Sequence, residues 1–204
     1  MGTMINRRRA CGGKKLLPAG YTQLEYIENN GYACINTGVV LDFTETIDIG
    51  FELKTFSAYR WIFGNYASEN HDCTRLILGS DYNAKCYANY NSKSGGGSIF
   101  ISQPFVYNTK YDVSLMPNNS VLVNDVFYSK ERVSGEPYND AIFIFGRKNG
   151  EQPFSGRIFY FRIEGKRNYI PCINPQNVVG MYDTVEGKFY SSPNGTAFVA
   201  GPEV

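Results

Sequence analysis

Hydrophobic and polar residues alternate along much of this chain with a period of two, the spacing of a half-buried strand. The clearest case is 47–56. Ile47, Ile49, Phe51 and Leu53 fall on one face, and Asp48, Gly50, Glu52 and Lys54 on the other. In 157–164, Ile158, Tyr160, Arg162 and Glu164 are expected to oppose Arg157, Phe159, Phe161 and Ile163. The same logic marks strands at 32–39, 60–66, 75–80, 86–90, 98–102, 111–116, 141–146, 154–164 and 189–191. The longest run free of Gly and Pro, 118–134, holds SVLVNDVFY (120–128), which reads as a tight hairpin turning at Asn124-Asp125. The one helical candidate is 23–28, with Leu24 and Ile27 three apart, and it fits a strand equally well. SKSGGGS (92–98) reads as a flexible loop within one domain.

Ten to thirteen strands in this length predict two antiparallel sheets packed face to face. No period of 40–50 residues repeats, which disfavours a propeller. Composition agrees. The 204 residues include 14 Phe and 16 Tyr against 9 Leu and 10 Ala, with 21 Gly and 19 Asn for turns. Aromatic and β-branched residues suit strands, whereas a helical bundle would need Leu and Ala.

The net charge of +1 conceals a division. Arg7, Arg8, Arg9, Lys14 and Lys15 make residues 1–16 a basic arm without an acid, and the remainder is acidic by four. Such an arm suits docking to an acidic surface, but it is too short to be a nucleic-acid domain. No apolar run spans a membrane, and the N-terminus lacks the apolar core of a secretory signal. Five scattered cysteines (Cys11, Cys34, Cys73, Cys86, Cys172) contain no CxxC pair. Free thiols in a reducing compartment fit best, with a Cys73–Cys86 bridge across a hairpin left open.

Candidate chemistry is sparse. β-Sandwich glucanases carry three acids at alternate positions of one strand (EIDIE). Here those positions are Thr46, Asp48 and Gly50. Only Asp48 survives, and Glu52 lies about 13–14 Å further along an extended strand, too far for a glycosidase pair. Asp48 and Glu52 therefore read as solvent-facing. His71, the sole histidine, sits in a polar loop. Loop oxygens that could serve calcium (Asp81, Asn83, Asn124, Asp125, Asn139, Asp140, Asp183) have no EF-hand spacing, so no cofactor is expected and calcium has no motif behind it. Aromatics interleaved with polar groups are the stronger signal. Tyr59, Arg60, Trp61, Asn65 and Tyr66 cluster in one segment. Tyr82, Asn83, Tyr87, Asn89, Tyr90 and Asn91 cluster in the next, with Tyr87, Asn89 and Asn91 expected on one face. From these, Tyr59, Trp61, Asn65, Tyr66, Tyr87, Asn89 and Asn91 are the candidate ligand-binding residues.

The ends of the chain carry a family likeness. LPAGYTQLEYIENNGYACINTG (17–38) resembles the "LPxGYTxLEYIExxGxQYIDTG" opening of a family from tailed phages and prophages of gut bacteria. GRIFYFRI (156–163), YIPCIN (169–174), VGMYD (179–183), GKFY (187–190) and GPE (201–203) resemble its later motifs. Cys34 and Asn36 depart from the usual Tyr and Asp. The family is similar to concanavalin-A-like and laminin-G-like domains. The resemblance implies a jelly-roll sandwich over 17–204, a non-enzymatic virion structural protein (fibre, spike or decoration) made in the host cytoplasm, and a lectin-like surface for host glycans or proteins. The basic arm would anchor it to another virion protein. A fibre role would imply a homo-oligomer, although no heptad repeat supports one. The alternatives are a bacterial surface or secreted lectin and a divergent glycoside hydrolase. The segment 57–155, outside the end motifs, is where a binding specificity would be written. The prolines 171 and 175 read as bracketing a non-helical connection, and 179–190 as a hairpin turning at Gly187.

Overall fold

A computed structural model of the protein describes residues 17–55, 57–79, 86–148 and 151–204. The basic arm with Arg7, Arg8, Arg9, Lys14 and Lys15, together with Cys11, Asp81, Tyr82 and Asn83, lies outside the described residues.

The chain is all-β, with seventeen strands among the described residues. First come β1 (Thr22–Gln23), β2 (Ile27–Asn29), β3 (Ile35–Asn36), β4 (Ile47–Leu53), β5 (Trp61–Gly64), β6 (Asp72–Leu78) and β7 (Cys86–Lys93). Then follow β8 (Ile99–Ile101), β9 (Lys110–Met116), β10 (Ser120–Val123), β11 (Val126–Ser129) and β12 (Phe143–Ile144). The last are β13 (Gly156–Ile163), β14 (Arg167–Ile173), β15 (Val179–Asp183), β16 (Lys188–Tyr190) and β17 (Val199–Ala200). They form two antiparallel sheets. The larger has eleven strands in the order β11-β10-β9-β4-β13-β14-β15-β16, with β1 on β14, β2 on β13 and β17 on β2. The smaller has six, in the order β3-β12-β5-β6-β7-β8.

The sheets form a sandwich because each hides one apolar face against the other. Ile47, Ile49, Phe51 and Leu53 of β4 are all fully buried, as their alternation requires. They join Phe161 and Ile163 of β13 and, from the smaller sheet, Ile62, Phe63, Leu76, Leu78 and Ala88 in one core cluster. Phe63 meets Phe161 edge-on across the interface, with ring centres 5.4 Å apart. Each such side chain contributes about 1.5–3 kcal/mol by leaving water.

Several sequence expectations hold locally. Asn124 and Asp125 both have positive φ (43° and 72°) and join β10 to β11 in a two-residue turn. Gly187, at φ 76°, turns β15 into β16. The segment 23–28 supplies strands, not a helix. Four differences have physical causes. In β13 a bulge between Ile158 and Tyr160 breaks the alternation, so Ile158, Phe161 and Ile163 all face the core. The expected strand 32–39 shrinks to Ile35–Asn36, because Asn29 Oδ1 accepts the N–H groups of Gly31, Tyr32 and Ala33 and curls the chain there. Residues 92–98 are not an open loop. β7 runs to Lys93, whose N–H bonds Val133 O, and a tight turn with non-helical backbone at Gly95 and Gly96 leads into β8. Finally, β14 is a strand that alternation did not mark, and it runs through Pro171, non-helical as expected.

On the outer face of the larger sheet, charges on β4 and β13 are paired. Asp48 accepts bonds from Arg162 and from Ser114 Oγ (2.6 Å). Arg157 bridges Glu28 (2.7 Å) and Glu52 (3.0 Å). Tyr160 lies across Gly50, where a Cβ would sit 2.5 Å from its ring, and donates to Asp112 at 2.9 Å. Asp48 and Glu52 share this outer face as expected, but Glu52 is buried and neither is simply solvated.

At the sheet margin, buried Glu45 is held by Lys166 Nζ at 2.6 Å and by backbone N–H groups. Burial pushes the Glu45 carboxyl up, but the Lys166 and backbone hydrogen bonds outweigh it and hold the group below its ordinary value. A depressed carboxylate stabilises the fold above its unfolded pKa, about 4.3, and that stability is lost as pH falls through the folded value. Lys166→Met is therefore expected to cost about 1–3 kcal/mol at pH 7 and much less at pH 3. Urea unfolding at the two pH values measures this, and an equal cost at both would contradict it.

Candidate functional site

Period-two alternation in the smaller sheet sends every second side chain outward, and these side chains build a cavity. Trp61 on β5 lies opposite Ile77 on β6, Ile77 opposite Tyr87 on β7, and Tyr87 opposite Phe100 on β8. The next row runs Gly64, Arg75, Asn89. A bulge at Ile62 sends both Ile62 and Phe63 to the core and leaves Trp61 on the outside. Gly64 is required beside Arg75, because a Cβ there would lie 2.6 Å from Arg75 Cβ and 2.7 Å from Thr74 O.

The resulting cleft has a volume of about 470 Å³. Tyr59, Tyr66 and Tyr87 form its walls, Trp61 and Arg75 are set deeper, and Glu69, Ser94, Arg147 and Gln152 supply its other polar groups. That size falls within the range of about 300–1,000 Å³ typical of small-ligand sites. Trp61 is only 1% exposed, and its indole N–H donates to Gln152 Oε1 at 3.0 Å. The Arg75 guanidinium carbon lies 5.1 Å from the Trp61 ring centre and 5.3 Å from that of Tyr66, and Arg147 approaches Tyr66 at 5.7 Å. Cations over aromatic faces are held by the ring quadrupole.

Arg75 Nε donates to Asn89 Oδ1 at 2.9 Å, and an Nη reaches Ser98 Oγ at 3.5 Å. Burial lowers the Arg75 pKa from its usual value, the mark of a desolvated cation, yet a guanidinium stays charged at neutral pH. Arg147 pairs with Glu151 at 2.6 Å, while its buried Nε has no hydrogen-bond partner among the described residues.

Four of the seven expected residues, Tyr59, Trp61, Tyr66 and Tyr87, line this cleft. The three asparagines do not. Asn65 is buried and clasps neighbouring backbone, donating to Asp140 O and accepting Thr74 N–H. Asn89 is fully buried and positions Arg75. Asn91 sits on a second bulge with φ 46°, where Tyr90 and Asn91 together oppose Thr74. That bulge breaks the alternation on which the shared face of Tyr87, Asn89 and Asn91 was expected, and Asn91 lines a different hollow beside Phe43 and Arg132. Arg60, grouped with the aromatics by sequence, donates to Ser57 instead. Sequence reasoning missed Arg75, Arg147, Glu69 and Gln152. The available signal was Arg75 itself, a charge in the otherwise apolar outer row of β6.

Elsewhere, His71 is held between Ser68 Oγ (2.7 Å from Nδ1) and Glu136 (3.3 Å from Nε2). Asn124 Oδ1 accepts Asp112 N–H, Asp140 takes Lys148 and Tyr138, and buried Asp183 faces Arg167. Among the described residues no group of three His, Cys, Asp or Glu side chains could hold a metal ion. Cys34, Cys73, Cys86 and Cys172 are buried free thiols, and Cys73 and Cys86 lie at opposite ends of the β6–β7 ladder. Burial raises all four, Cys73 to about 11 and Cys172 to about 12. No described helix is long and apolar enough to cross a membrane. Compared with protein-family models and with curated proteins, the chain matches none.

If Asn89 positions Arg75, Asn89→Ala should lower stability by about 1–3 kcal/mol and shift the emission of Trp61, the only tryptophan. An unchanged unfolding midpoint and spectrum would mean that Arg75 holds its place without Asn89.

Proposed function

We propose that this protein is a non-enzymatic structural protein of a tailed-phage particle, a fibre, spike or decoration protein, that presents a glycan-binding surface. Its body is read as a jelly roll of the concanavalin-A and laminin-G type. The glycan site is the cleft over Trp61 and Arg75, and the observation that carries the reading is the meeting there of Tyr59, Tyr66 and Tyr87 with convergent polar groups. Sugar rings offer apolar faces and hydroxyl edges. Tyrosine walls answer the first, and Arg75, Arg147, Glu69 and Gln152 answer the second. The particle assignment rests on the resemblance of 17–38 and 156–203 to the phage family. Asp48 and Glu52 are each engaged by an arginine, which favours binding over hydrolysis on the larger sheet.

A glycan array followed by titration of Trp61 fluorescence tests the site. Tyr66→Ala and Tyr87→Ala should each weaken binding about tenfold, the equivalent of about 1.4 kcal/mol. Failure to bind any glycan, or indifference to both substitutions, would overturn the reading.

The basic arm is the proposed anchor, docking by charge on a neighbouring virion protein. Removal of residues 1–15 should abolish incorporation into particles while the circular dichroism of the body is unchanged. Normal incorporation of the shortened protein would defeat the anchoring role.

A further inference from the structure

Taking the cleft as a glycan site, we propose that it selects acidic sugars, seating the carboxylate or sulfate of a saccharide on Arg75 and Arg147. The argument begins with how the two outer faces treat charge. On the larger sheet Arg157 and Arg162 meet carboxylates directly. On the smaller sheet Arg75 meets none among the described residues. Its neighbours are two aromatic rings, one asparagine oxygen and one distant serine hydroxyl.

A guanidinium offers five N–H donors. Asn89 takes the Nε donor, and the contact to Ser98 is long. The remaining donors have no other hydrogen-bond partner among the described residues and are offered to a ligand. The cation is also partly desolvated, and its pKa is lowered by burial, so an anion placed beside it would recover interaction that water no longer supplies. Arg147 adds a second cation over the same Tyr66 ring, and its buried Nε has no partner among the described residues. Two acids oppose this reading. Glu151 engages the terminal nitrogen of Arg147, and Glu69 lines the rim, where it is exposed. Neither pairs with Arg75. A neutral sugar would use the tyrosine walls but would leave the partly buried Arg75 without a counter-charge among the described residues. An arginine fork matches the planar oxygens of a carboxylate or sulfate, and charge-assisted bonds of this type are the stronger kind.

The test uses matched pairs that differ only in charge, followed by Trp61 fluorescence. These are sialyllactose against lactose, an oligogalacturonate against its methyl ester, and sulfated lactose against lactose. The acidic member should bind about tenfold more tightly or better, as a charge-assisted hydrogen bond implies, and the preference should shrink as salt is raised. The carboxylated and sulfated arms identify which anion is preferred. Arg75→Gln and Arg147→Gln should each reduce the preference, with circular dichroism recorded for both. If Arg75→Gln does not fold, Arg147→Gln and the methyl-ester comparison on the unaltered protein still decide. Equal affinity for acidic and neutral partners would overturn the inference and leave the glycan site standing. Binding to no saccharide, or only to a polyglutamate peptide, would overturn both.

Discussion

The constraint on which the molecule depends is that a strand has two faces, and burying one commits the other. Ile47, Ile49, Phe51 and Leu53 must enter the sandwich, so Asp48, Gly50 and Glu52 must leave it. Across β4, β9 and β13 that outward row is closed by ion pairs and by Tyr160 lying over Gly50. Across β5 to β8 the same rule turns Trp61, Arg75, Ile77 and Tyr87 outward. There the row is closed by stacking, and a hollow remains above it. The two outer faces solve one problem by different chemistry: among the described residues Arg157 and Arg162 meet carboxylates, whereas Arg75 meets aromatic rings and an asparagine.

Much of the fold was legible because alternation is a local property. β4 and the β10–β11 hairpin could be drawn from their residues alone. β14 could not, because Pro171 and Pro175 exclude a helix there without requiring a strand. The Pro171 carbonyl accepts Leu24 N–H. The C=O and N–H positions of a strand residue point to the same side, so the missing donor falls at the margin where β1 ends, and the pairing of Pro171 with Met181 on β15 survives. A proline tolerated by the edge it faces is invisible to a rule about composition.

The site was half legible for a related reason. The aromatic clusters marked the correct strands, and Tyr59, Trp61, Tyr66 and Tyr87 do converge. The asparagines were misread because Asn is useful in two ways, toward a ligand and toward a backbone out of register. Asn65, Asn89 and Asn91 all serve backbone or positioning roles. Bulges at Ile62 and at Tyr90–Asn91 reassign the faces, and no alternation pattern announces an extra residue. Arg147 comes from a connecting segment distant in sequence, so only the folded chain brings it to Tyr66.

The bulge at Tyr90–Asn91 also divides β7 into two stretches with different partners. Before it, Tyr87 lines the cleft and buried Asn89 holds Arg75. After it, Ser92 and Lys93 bind the segment around Val133, and Arg132 bonds the Asn91 carbonyl. The extra residue resets the register between them. The two stretches stay joined across it, since the Asn89 side chain donates to the carbonyls of Ser92 and Lys93, and Ser94 lines the cleft. A displacement of the segment around Val133 would therefore reach Arg75 through Ser92, Lys93 and Asn89.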